Sequence, residues 1–533
     1  MWLDAIDMAL SRLADLASPP ADDAEKNASS PETQQPEGEK TGWGRWVLAR
    51  VRALSVSGQQ HGTVFWKAGA RERIESLGKL GPRDTLLEAL HDCFARRDCP
   101  IWADSSTLRE CQNLDEALGG PMAVAEATGS AAYCRFSGNQ IARIARREPE
   151  AYAACERVSL VSSFVTSVLA GRYCPTDASD ASGMNLMDIR SRDWHESALA
   201  ATKAQGLREK LGDVCASHEC QGKISPFFTR KFGLNPECVV VSGSGDNPCG
   251  LAGLGLSGEG PVAVSLGTSD TVMGITREPR PQEEGHVMVN PVEEASCFAI
   301  LVYKNGSLGR QRVRDELCSG SWKEFDAVLA STPAGNGGRI GIFVDMPEIT
   351  PQIATTGRFR RGPSDEAVDG SFPAGEEARA VVEGRFLSMR GRLLRMGIPP
   401  PQSVLATGGG TNSPAIMQVL ADVFNAPVYL KTVPDAAAIG AALRAKHGYV
   451  CEYQEGASPS RGAYIPFSRV VASSSSSSSL SSKPSSSGKG PVPADGMRLA
   501  AMPRSDASSV YEGMAERYRL LEEAVKVFAT EAA

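Results

Sequence analysis

Residues 239–248 place an acid at a point where a reaction could occur. Their sequence, Val-Val-Val-Ser-Gly-Ser-Gly-Asp-Asn-Pro, is a hydrophobic run followed by two glycines and Asp246. The run predicts a buried strand, and α/β proteins bind ligands at the carboxyl ends of such strands. A carboxylate held there can accept a proton from a bound alcohol. By spacing alone, a simple Asp-Asn-Pro turn fits this segment equally well.

Two further glycine-rich loops follow strand-like runs. In residues 262–270 a strand turns through Gly267, Thr268 and Ser269, whose backbone N–H groups and hydroxyls suit phosphate oxygens. The alternative for this segment is a β-hairpin with a polar turn. In residues 405–414 three glycines join a strand to a helix capped by Ser413, so that a nucleotide could lie against bare backbone near a helix N-terminus. Together with Asp246, these loops favour phosphoryl transfer over hydride transfer.

Residues 55–62, Ser-Val-Ser-Gly-Gln-Gln-His-Gly, offer polar side chains of another kind. Two amides and the imidazole of His61 can hydrogen-bond vicinal hydroxyls of a sugar. A single histidine is more often structural, so His61 gains functional weight only from its neighbours. Residues 133–140 add an aromatic and polar mixture.

Other motifs carry no prediction. Residues 253–258 match G-x-G-x-x-G, but they lead into a strand instead of opening a helix, as the dinucleotide fingerprint requires. Cys215, His218 and Cys220 are three potential zinc ligands without a fourth. We therefore predict no metal held by a dedicated set of protein ligands.

Composition narrows the class of protein. The 533 residues carry a net charge of −7. Nucleic-acid binding proteins are usually basic, so this charge disfavours a nucleic-acid partner. The thirteen cysteines include no Cys-x-x-Cys pair, as expected for reduced thiols in the cytoplasm. No apolar run approaches the roughly 20 residues that span a bilayer, so no membrane association is predicted.

The predicted elements alternate strands with helices, which is typical of an α/β protein. Strands are expected over 51–56, 239–242, 261–266 and 404–407, and helices from Glu376, Ser413 and about Val510. Leu3, Ile6 and Leu10 lie at helical spacing and predict an amphipathic first helix. Residues 18–44 have a disordered composition, and the Ser-rich residues 472–495 resemble a flexible linker.

These segments together resemble the FGGY family of carbohydrate kinases. The similarity covers residues 1–17 and about 45–465, and its most specific element, Gln-Gln-His-Gly at 59–62, is similar to the members that phosphorylate xylulose. It is carried, in the family's order, by Ser-Gly-Gln-Gln-His-Gly at 57–62, Trp-x-Asp-Ser-Ser-Thr at 102–107, Arg-Phe-Ser-Gly-Asn-Gln at 135–140, Asp-Ala-Ser-Gly at 180–183, Gly-Asp-Asn-Pro at 245–248, Ser-Leu-Gly-Thr at 265–268 and Thr-Gly-Gly at 407–409.

The resemblance implies two actin-like, ribonuclease-H-like ATPase domains around a cleft. It places a sugar-binding domain in residues 1–257, an ATP-binding domain in 258–470, a Ser-rich linker in 471–496 and a helical segment in 497–533. It implies ATP-dependent phosphorylation of D-xylulose to D-xylulose 5-phosphate with Mg²⁺, and leaves a homodimer open. The implied site residues are Asp246 as general base, His61, Arg135 and Asn247 for the sugar, Gly267 and Thr268 for phosphate, and Trp322, Gly408, Gly409 and Asn412 for the nucleotide.

One departure from the family pattern leaves alternatives open. Family members open with a strand and hairpin of the type Asp-x-Gly-Thr, and the first 60 residues contain no such motif. The resemblance therefore implies that this chain lacks the opening strands. This departure adds a non-catalytic protein that binds sugar or nucleotide to the other alternative, a kinase of another ketopentose or polyol on the same scaffold.

Overall fold

The computed structural model describes residues 1–17, 42–431, 435–453, 464–475 and 497–531. The chain divides into two compact units, and each unit is assembled from three chain segments. The first unit is Met1–Gly120, Ala132–Gly253 and Ala436–Val470, and the second is Pro121–Ala131, Leu254–Asp435 and Val471–Ala533. The mixture of strands and helices confirms the predicted α/β class.

The strands have two to six residues in the first unit and two to seven in the second. They are β1 Ala53–Leu54, β2 Ser57–Gly58, β3 Thr63–Lys67, β4 Cys155–Leu160, β5 Thr176–Asp177, β6 Val214–Cys215, β7 Cys220–Lys223, β8 Val239–Val241, β9 Ser244–Gly245, β10 Pro261–Leu266, β11 Asp270–Thr276, β12 His286–Val289, β13 Cys297–Tyr303, β14 Ile340–Val344, β15 Glu348–Ile349, β16 Gln352–Ile353, β17 Gly357–Arg361, β18 Ser403–Thr407, β19 Val428–Lys431 and β20 Met497–Ala501.

Helices alternate with these strands along the chain in both units. They are α1 Trp2–Ala14, α2 Trp43–Leu48, α3 Ala70–Glu75, α4 Leu86–Leu90, α5 Leu108–Leu118, α6 Pro121–Thr128, α7 Ser137–Arg147, α8 Pro149–Ala153, α9 Val161–Ala170, α10 Ala178–Ala181, α11 Glu196–Ala201, α12 Leu207–Leu211, α13 Pro226–Phe232, α14 Asp246–Gly253, α15 Ser307–Leu317, α16 Trp322–Ser331, α17 Ala374–Arg395, α18 Pro414–Phe424, α19 Ala436–Tyr453, α20 Phe467–Ser475 and α21 Ala507–Glu531.

The expected amphipathic first helix is confirmed. Leu3 is buried in the core of the first unit, and Ile6, Leu10 and Leu13 pack against the same core. The predicted disordered stretch 18–44 is wrong at its end, because Trp43 already begins α2 and packs in regular helix. The rest of that stretch, 18–41, and residues 476–496 of the Ser-rich region lie outside the described residues.

Two of the parallel strand pairs in the first unit bring its polar loops together. The predicted strand 51–56 is observed as two short strands, β1 and β2, with a break between them. β1 pairs in parallel with β8, Ala53 opposite Val239, and β2 pairs in parallel with β9, Ser57 opposite Ser244. Because both pairs run the same way, the residues that follow β2 lie beside those that follow β9.

The first unit is completed by a helix from late in the chain. Helix α19 packs on α14 so closely that a side chain would not fit at the contact: a Cβ on Gly253 would lie 1.9 Å from the carbonyl oxygen of Ala436, and one on Gly440 would lie 1.7 Å from that of Cys249. Residues 436–470 therefore group with the first unit. This differs from the contiguous second domain, 258–470, that the sequence predicts.

A seven-stranded sheet forms the second unit, in the order β12-β13-β11-β10-β18-β19-β20. β10 pairs antiparallel with β11 and parallel with β18, so the turn after β10 and the turn after β18 lie at the same end of neighbouring strands. Strand β20 pairs with β19, and Tyr511 of α21 donates a hydrogen bond to Glu383 of α17 at 2.6 Å. Residues 497–531 thus belong to this unit, unlike the separate C-terminal segment that the sequence predicts.

Within the described ranges, no helix is both long enough and apolar enough to cross a bilayer.

Candidate active site

The parallel pairing of β2 with β9 brings two polar segments together in the first unit. Gln60 and His61 follow β2, while Asp246 and Asn247 begin the helix that follows β9. We call these four residues and Asp180 the Asp246 cluster. The structure thus joins residues that lie almost 190 positions apart in the chain.

Asp246 holds its carboxylate at the surface of the first unit, at the N-terminus of α14. The N–H of Asn247 donates to its Oδ1 at 2.9 Å, and the N–H of Gln60 also hydrogen-bonds the carboxylate. The surrounding protein partly desolvates the group, and this burial raises the pKa of Asp246 in spite of those hydrogen bonds. A more basic carboxylate is a better proton acceptor for an alcohol.

Gln60 connects the two segments. Its side chain is buried, and its Oε1 accepts a hydrogen bond from Asn247 Nδ2 at 2.7 Å. The same Nδ2 lies 3.3 Å from Asp246 Oδ1. Gln60 therefore orients both the amide and the acid, a role that its place beside His61 in the sequence does not specify.

His61 is fixed on two sides. Its Nδ1 lies 3.0 Å from the carbonyl oxygen of Gly183, and its ring stacks on Phe136 with the centroids 4.7 Å apart. A carbonyl oxygen only accepts, so Nδ1 donates, and in a neutral imidazole Nε2 is then the acceptor. An acceptor at Nε2 suits a sugar hydroxyl.

Arg135 immediately precedes Phe136, the residue whose ring stacks on His61. Its guanidinium lies over the ring of Tyr133, 4.5 Å from the centroid, and its Nη2 donates to the Tyr133 hydroxyl at 2.9 Å. The N–H of Tyr133 donates in turn to Asn185 Oδ1 at 3.2 Å. Arg135 is half-buried and adjoins in sequence the Phe136 ring that stacks on His61, and a guanidinium there can contact an oxygen-rich ligand.

Asp180 is the group that reasoning from the residues missed. It is fully buried, and Ser162 Oγ donates to its Oδ2 at 2.5 Å, while its Oδ1 finds no hydrogen-bond partner among the residues that the structure describes. Burial, reinforced by the charges of Asp177 and Asp246, raises the pKa of Asp180 to about 7. In the sequence Asp180 is only an acid two residues before Ser182-Gly183. Its proximity to Asp246 depends on packing across the unit.

The second unit contains a cavity of about 540 Å³. It is lined by residues from the turn after β10, from α15 and α16, and from the loop between β18 and α18, and we call it the glycine cavity. Its lining includes Gly267, Thr268, Trp322, Gly409 and Asn412, five of the six residues predicted to contact the nucleotide or its phosphates. Gly408, the sixth, does not line it.

Gly408 instead shapes the loop that does. Its φ is +87°, and a Cβ there would lie 2.6 Å from the carbonyl oxygen of Leu266 in β10. Only glycine adopts this conformation without strain at such close approach. The turn at Gly267 and Thr268 connects antiparallel strands, so the predicted alternative of a β-hairpin is confirmed. Both residues of this turn also line the cavity.

Trp322 is the first residue of α16 and exposes an aromatic ring there. Its side chain is 40% exposed, and the guanidinium of Arg314 lies 4.7 Å from its ring centroid. An exposed indole can stack on a purine base. Ser413 caps α18 as predicted, and its hydroxyl donates to Asp326 Oδ1 at 2.5 Å. Burial raises the pKa of Asp326, although this hydrogen bond acts in the opposite direction.

The charged groups next to the glycine cavity are largely paired. Arg310 binds Asp270 through two hydrogen bonds, 2.7 and 2.9 Å long, with both side chains buried. The cavity therefore presents backbone and neutral polar groups to a ligand. In the described part of the chain, no group of three His, Cys, Asp or Glu side chains could hold a metal ion.

Comparison with known proteins identifies the kind of site. Residues 97–253 match the N-terminal domain, and residues 262–449 the C-terminal domain, of the FGGY family of carbohydrate kinases. The xylulose kinase of Rattus norvegicus is 43% identical over 480 residues, covering 90% of this chain and 82% of the relative. Xylulose kinase 2 of Arabidopsis thaliana is 43% identical over 434 residues, covering 79% and 76%.

Solved structures share the fold at lower identity. The xylulose kinase of Rhodospirillum rubrum has a TM-score of 0.68 at 17% identity, with 95% of this chain and 88% of that chain covered. The gluconate kinase of Lactobacillus acidophilus has a TM-score of 0.67, also at 17% identity, with 90% and 86% covered. The predicted family fold of actin-like domains is confirmed, and it is shared by kinases named for different sugars.

Proposed function

The chain belongs to the FGGY family of carbohydrate kinases, and from that membership we propose that it transfers the γ-phosphoryl group of ATP to the C5 hydroxyl of D-xylulose. The observation that carries the proposal is the Asp246 carboxylate, raised in pKa and held by Asn247 and Gln60 at the end of β9. The high identity to xylulose kinases across most of the chain supports the choice of sugar.

In the proposed reaction Asp246 accepts the proton of the C5 hydroxyl as that oxygen attacks the γ-phosphorus. The bond from phosphorus to the bridging oxygen of ADP breaks, and ADP leaves with the electron pair. D-Xylulose 5-phosphate forms, and Asp246 returns its proton to solvent. We assign His61, Arg135 and Asn247 to hold the sugar hydroxyls so that one oxygen is oriented for attack.

We assign the glycine cavity to ATP. The backbone at Gly267, Gly409 and Gly410 can approach phosphate oxygens, and Trp322 and Asn412 can contact the base or ribose. Mg²⁺ would enter with ATP and neutralise phosphate charge. Because Mg²⁺ keeps several waters and needs only one or two protein oxygens, the lack of a cage of acids among the described residues fits this assignment.

Two other functions compete with this one. The fold is shared with a gluconate kinase, so the same arrangement can serve a different ketopentose or a polyol. A protein that binds sugar without turnover is the second alternative.

The test is ADP release with a panel of sugars. We expect D-xylulose to give the highest kcat/KM among pentuloses and polyols, and phosphorus NMR to place the phosphate at C5. Asp98→Asn, which changes an exposed acid of the same unit, serves as the control and should leave the rate unchanged. A better polyol substrate would replace the proposed sugar, and sugar binding without ADP release would contradict the kinase.

We also place the enzyme in the cytoplasm, because all thirteen cysteines are free thiols. The homodimer that the family resemblance leaves open is tested by sedimentation at the concentration of the assay.

A further inference from the structure

Two thiols meet beside the loop that carries Arg135. Cys111 on α5 directs its Sγ toward Cys134, with the sulfur atoms 3.9 Å apart. Cys111 is buried, while Cys134 is partly exposed at the turn before α7. A disulfide requires a separation of about 2.0 Å, so the sulfurs must approach by about 1.9 Å. We expect rotation of the two side chains, with a small movement of the turn, to supply that approach.

The two thiols are chemically unequal. The S–H of Cys111 donates to Cys134 Sγ, and this hydrogen bond lowers the pKa of Cys134 and raises that of Cys111. Burial acts further against ionisation of Cys111. The partly exposed Cys134 is therefore the thiolate that a reagent in solvent meets first, and Cys111 is the neighbour placed to resolve the product.

We propose that Cys111 and Cys134 are a reversible thiol–disulfide site, oxidised by a small disulfide such as oxidised glutathione, and that the bond weakens sugar binding. The Cys134 thiolate attacks one glutathione sulfur, so that a mixed disulfide forms and one glutathione thiolate leaves. Cys111 then loses its proton to solvent and attacks Cys134 Sγ, and the second glutathione leaves. Two protein thiols are oxidised, and one glutathione disulfide is reduced to two glutathiones.

The effect on the sugar follows from what holds the turn. The carbonyl oxygen of Cys134 accepts hydrogen bonds from Thr107 Oγ1 at 2.5 Å and from Gln140 Nε2 at 3.1 Å. Closing the sulfurs pulls the turn against these bonds, and Arg135 is the next residue. This part of the proposal rests on the proposed function, since it takes Arg135 to contact the sugar.

Peptide mapping tests the bond without any activity assay. Trypsin cleaves after Arg109 and Arg135 and at no residue between them, so both thiols lie in one peptide of 110–135. After treatment of the full chain with oxidised glutathione and alkylation, we expect this peptide to be lighter by two hydrogens and unlabelled. Reduced glutathione should restore two alkylated thiols. Full alkylation of the peptide after oxidation would overturn the proposal.

Single variants separate the two steps. Cys111→Ser should stop the reaction at the mixed disulfide, with one glutathione on Cys134, whereas Cys134→Ser should leave Cys111 unmodified. Cys99→Ser, a matched change at another partly buried thiol, should oxidise like the unchanged chain. Glutathione found first on Cys111 would contradict the assigned order.

Calorimetry tests the consequence. We expect oxidation to weaken D-xylulose binding about tenfold, the cost of one lost hydrogen bond, and to leave the double variant Cys111→Ser/Cys134→Ser unaffected. A disulfide that forms without changing affinity would refute the link to the sugar. Reduced protein that binds no D-xylulose would instead refute the proposed function, while the mapped bond would stand.

Discussion

The Asp246 cluster and the glycine cavity differ in the kind of surface that each presents to the ligand we propose for it. In the first, hydrogen bonds fix the side chains: Gln60 Oε1 accepts from Asn247 Nδ2, the Asn247 N–H donates to Asp246, and the Gly183 carbonyl oxygen holds His61 Nδ1. In the second, the lining is largely glycine backbone and neutral polar groups, and the nearby Arg310 is paired with Asp270. The contrast teaches that a few directed side chains suit the hydroxyls of a sugar, whereas exposed backbone suits the oxygens of a phosphate.

The largest expected effect comes from removing the base of the Asp246 cluster. We expect Asp246→Asn to lower kcat by about 10²–10⁴ while D-xylulose binding is largely retained, since the amide keeps the shape and cannot accept the proton. Steady-state kinetics with calorimetry for the sugar measures both. A fully active variant would show that Asp246 is not the general base.

The glycine cavity should respond to a change of backbone. We expect Gly408→Ala to destabilise the protein by about 1–3 kcal/mol and to raise KM for ATP more than KM for the sugar, because alanine is strained at φ +87° beside Leu266. Urea unfolding and kinetics measure these effects. Gly409→Ala is the control for stability, since a Cβ there meets open space. Equal stability of the two variants would contradict this account of Gly408.

His61 tests the side-chain half of the comparison. We expect His61→Ala to raise KM for D-xylulose by the equivalent of about 1–3 kcal/mol, with little change in KM for ATP, because the sugar loses a hydrogen-bond partner. His91→Ala is a matched control, as its Nδ1 also lies 3.0 Å from a carbonyl oxygen, that of Glu88, on an exposed helix end. Equal changes in both KM values would make His61 structural.

The smallest effect concerns Asp180 and depends on pH. Its folded pKa of about 7 exceeds the usual value near 3.9, so the folded protein binds this proton more tightly than the unfolded chain. Between about pH 4 and pH 7 the free energy of unfolding therefore falls as pH rises. Asp180→Asn stays neutral, so we expect it to lose less stability than the unchanged protein between pH 5 and pH 8. Urea unfolding at both values, with Asp98→Asn as control, measures the difference, and identical pH dependence would contradict the buried acid.

The features predictable from sequence were those encoded locally. Asp246 and the turn at Gly267 were found because an apolar run, glycines and a polar residue follow one another, and Ser413 because it precedes Pro414. Trp322 came only from the family resemblance, since a single tryptophan at a helix start carries no signal of its own. Asp180 was missed as a chemical group because its burial depends on contacts such as that with Ser162, which packing across the unit creates.

The same limit explains the domain division and the thiol pair. The contact of Gly253 with Ala436 joins parts of the chain that no local pattern connects. Cys111 and Cys134 are 23 positions apart, far from the Cys-x-x-Cys spacing that marks a redox pair in a sequence. Their meeting follows from the packing of α5 beside the turn before α7.

The interleaving of the two units has a consequence during translation. The first unit ends its second segment at Gly253 and receives its last only when Ala436 has been made. At about 5–20 residues per second, the intervening 182 residues take roughly 9–36 s to synthesise. Throughout that time α19, the helix that packs on α14, has not yet been synthesised. The first unit therefore stays incomplete on the nascent chain while the second is being made. A chain that terminates before residue 436 contains a complete copy of neither unit.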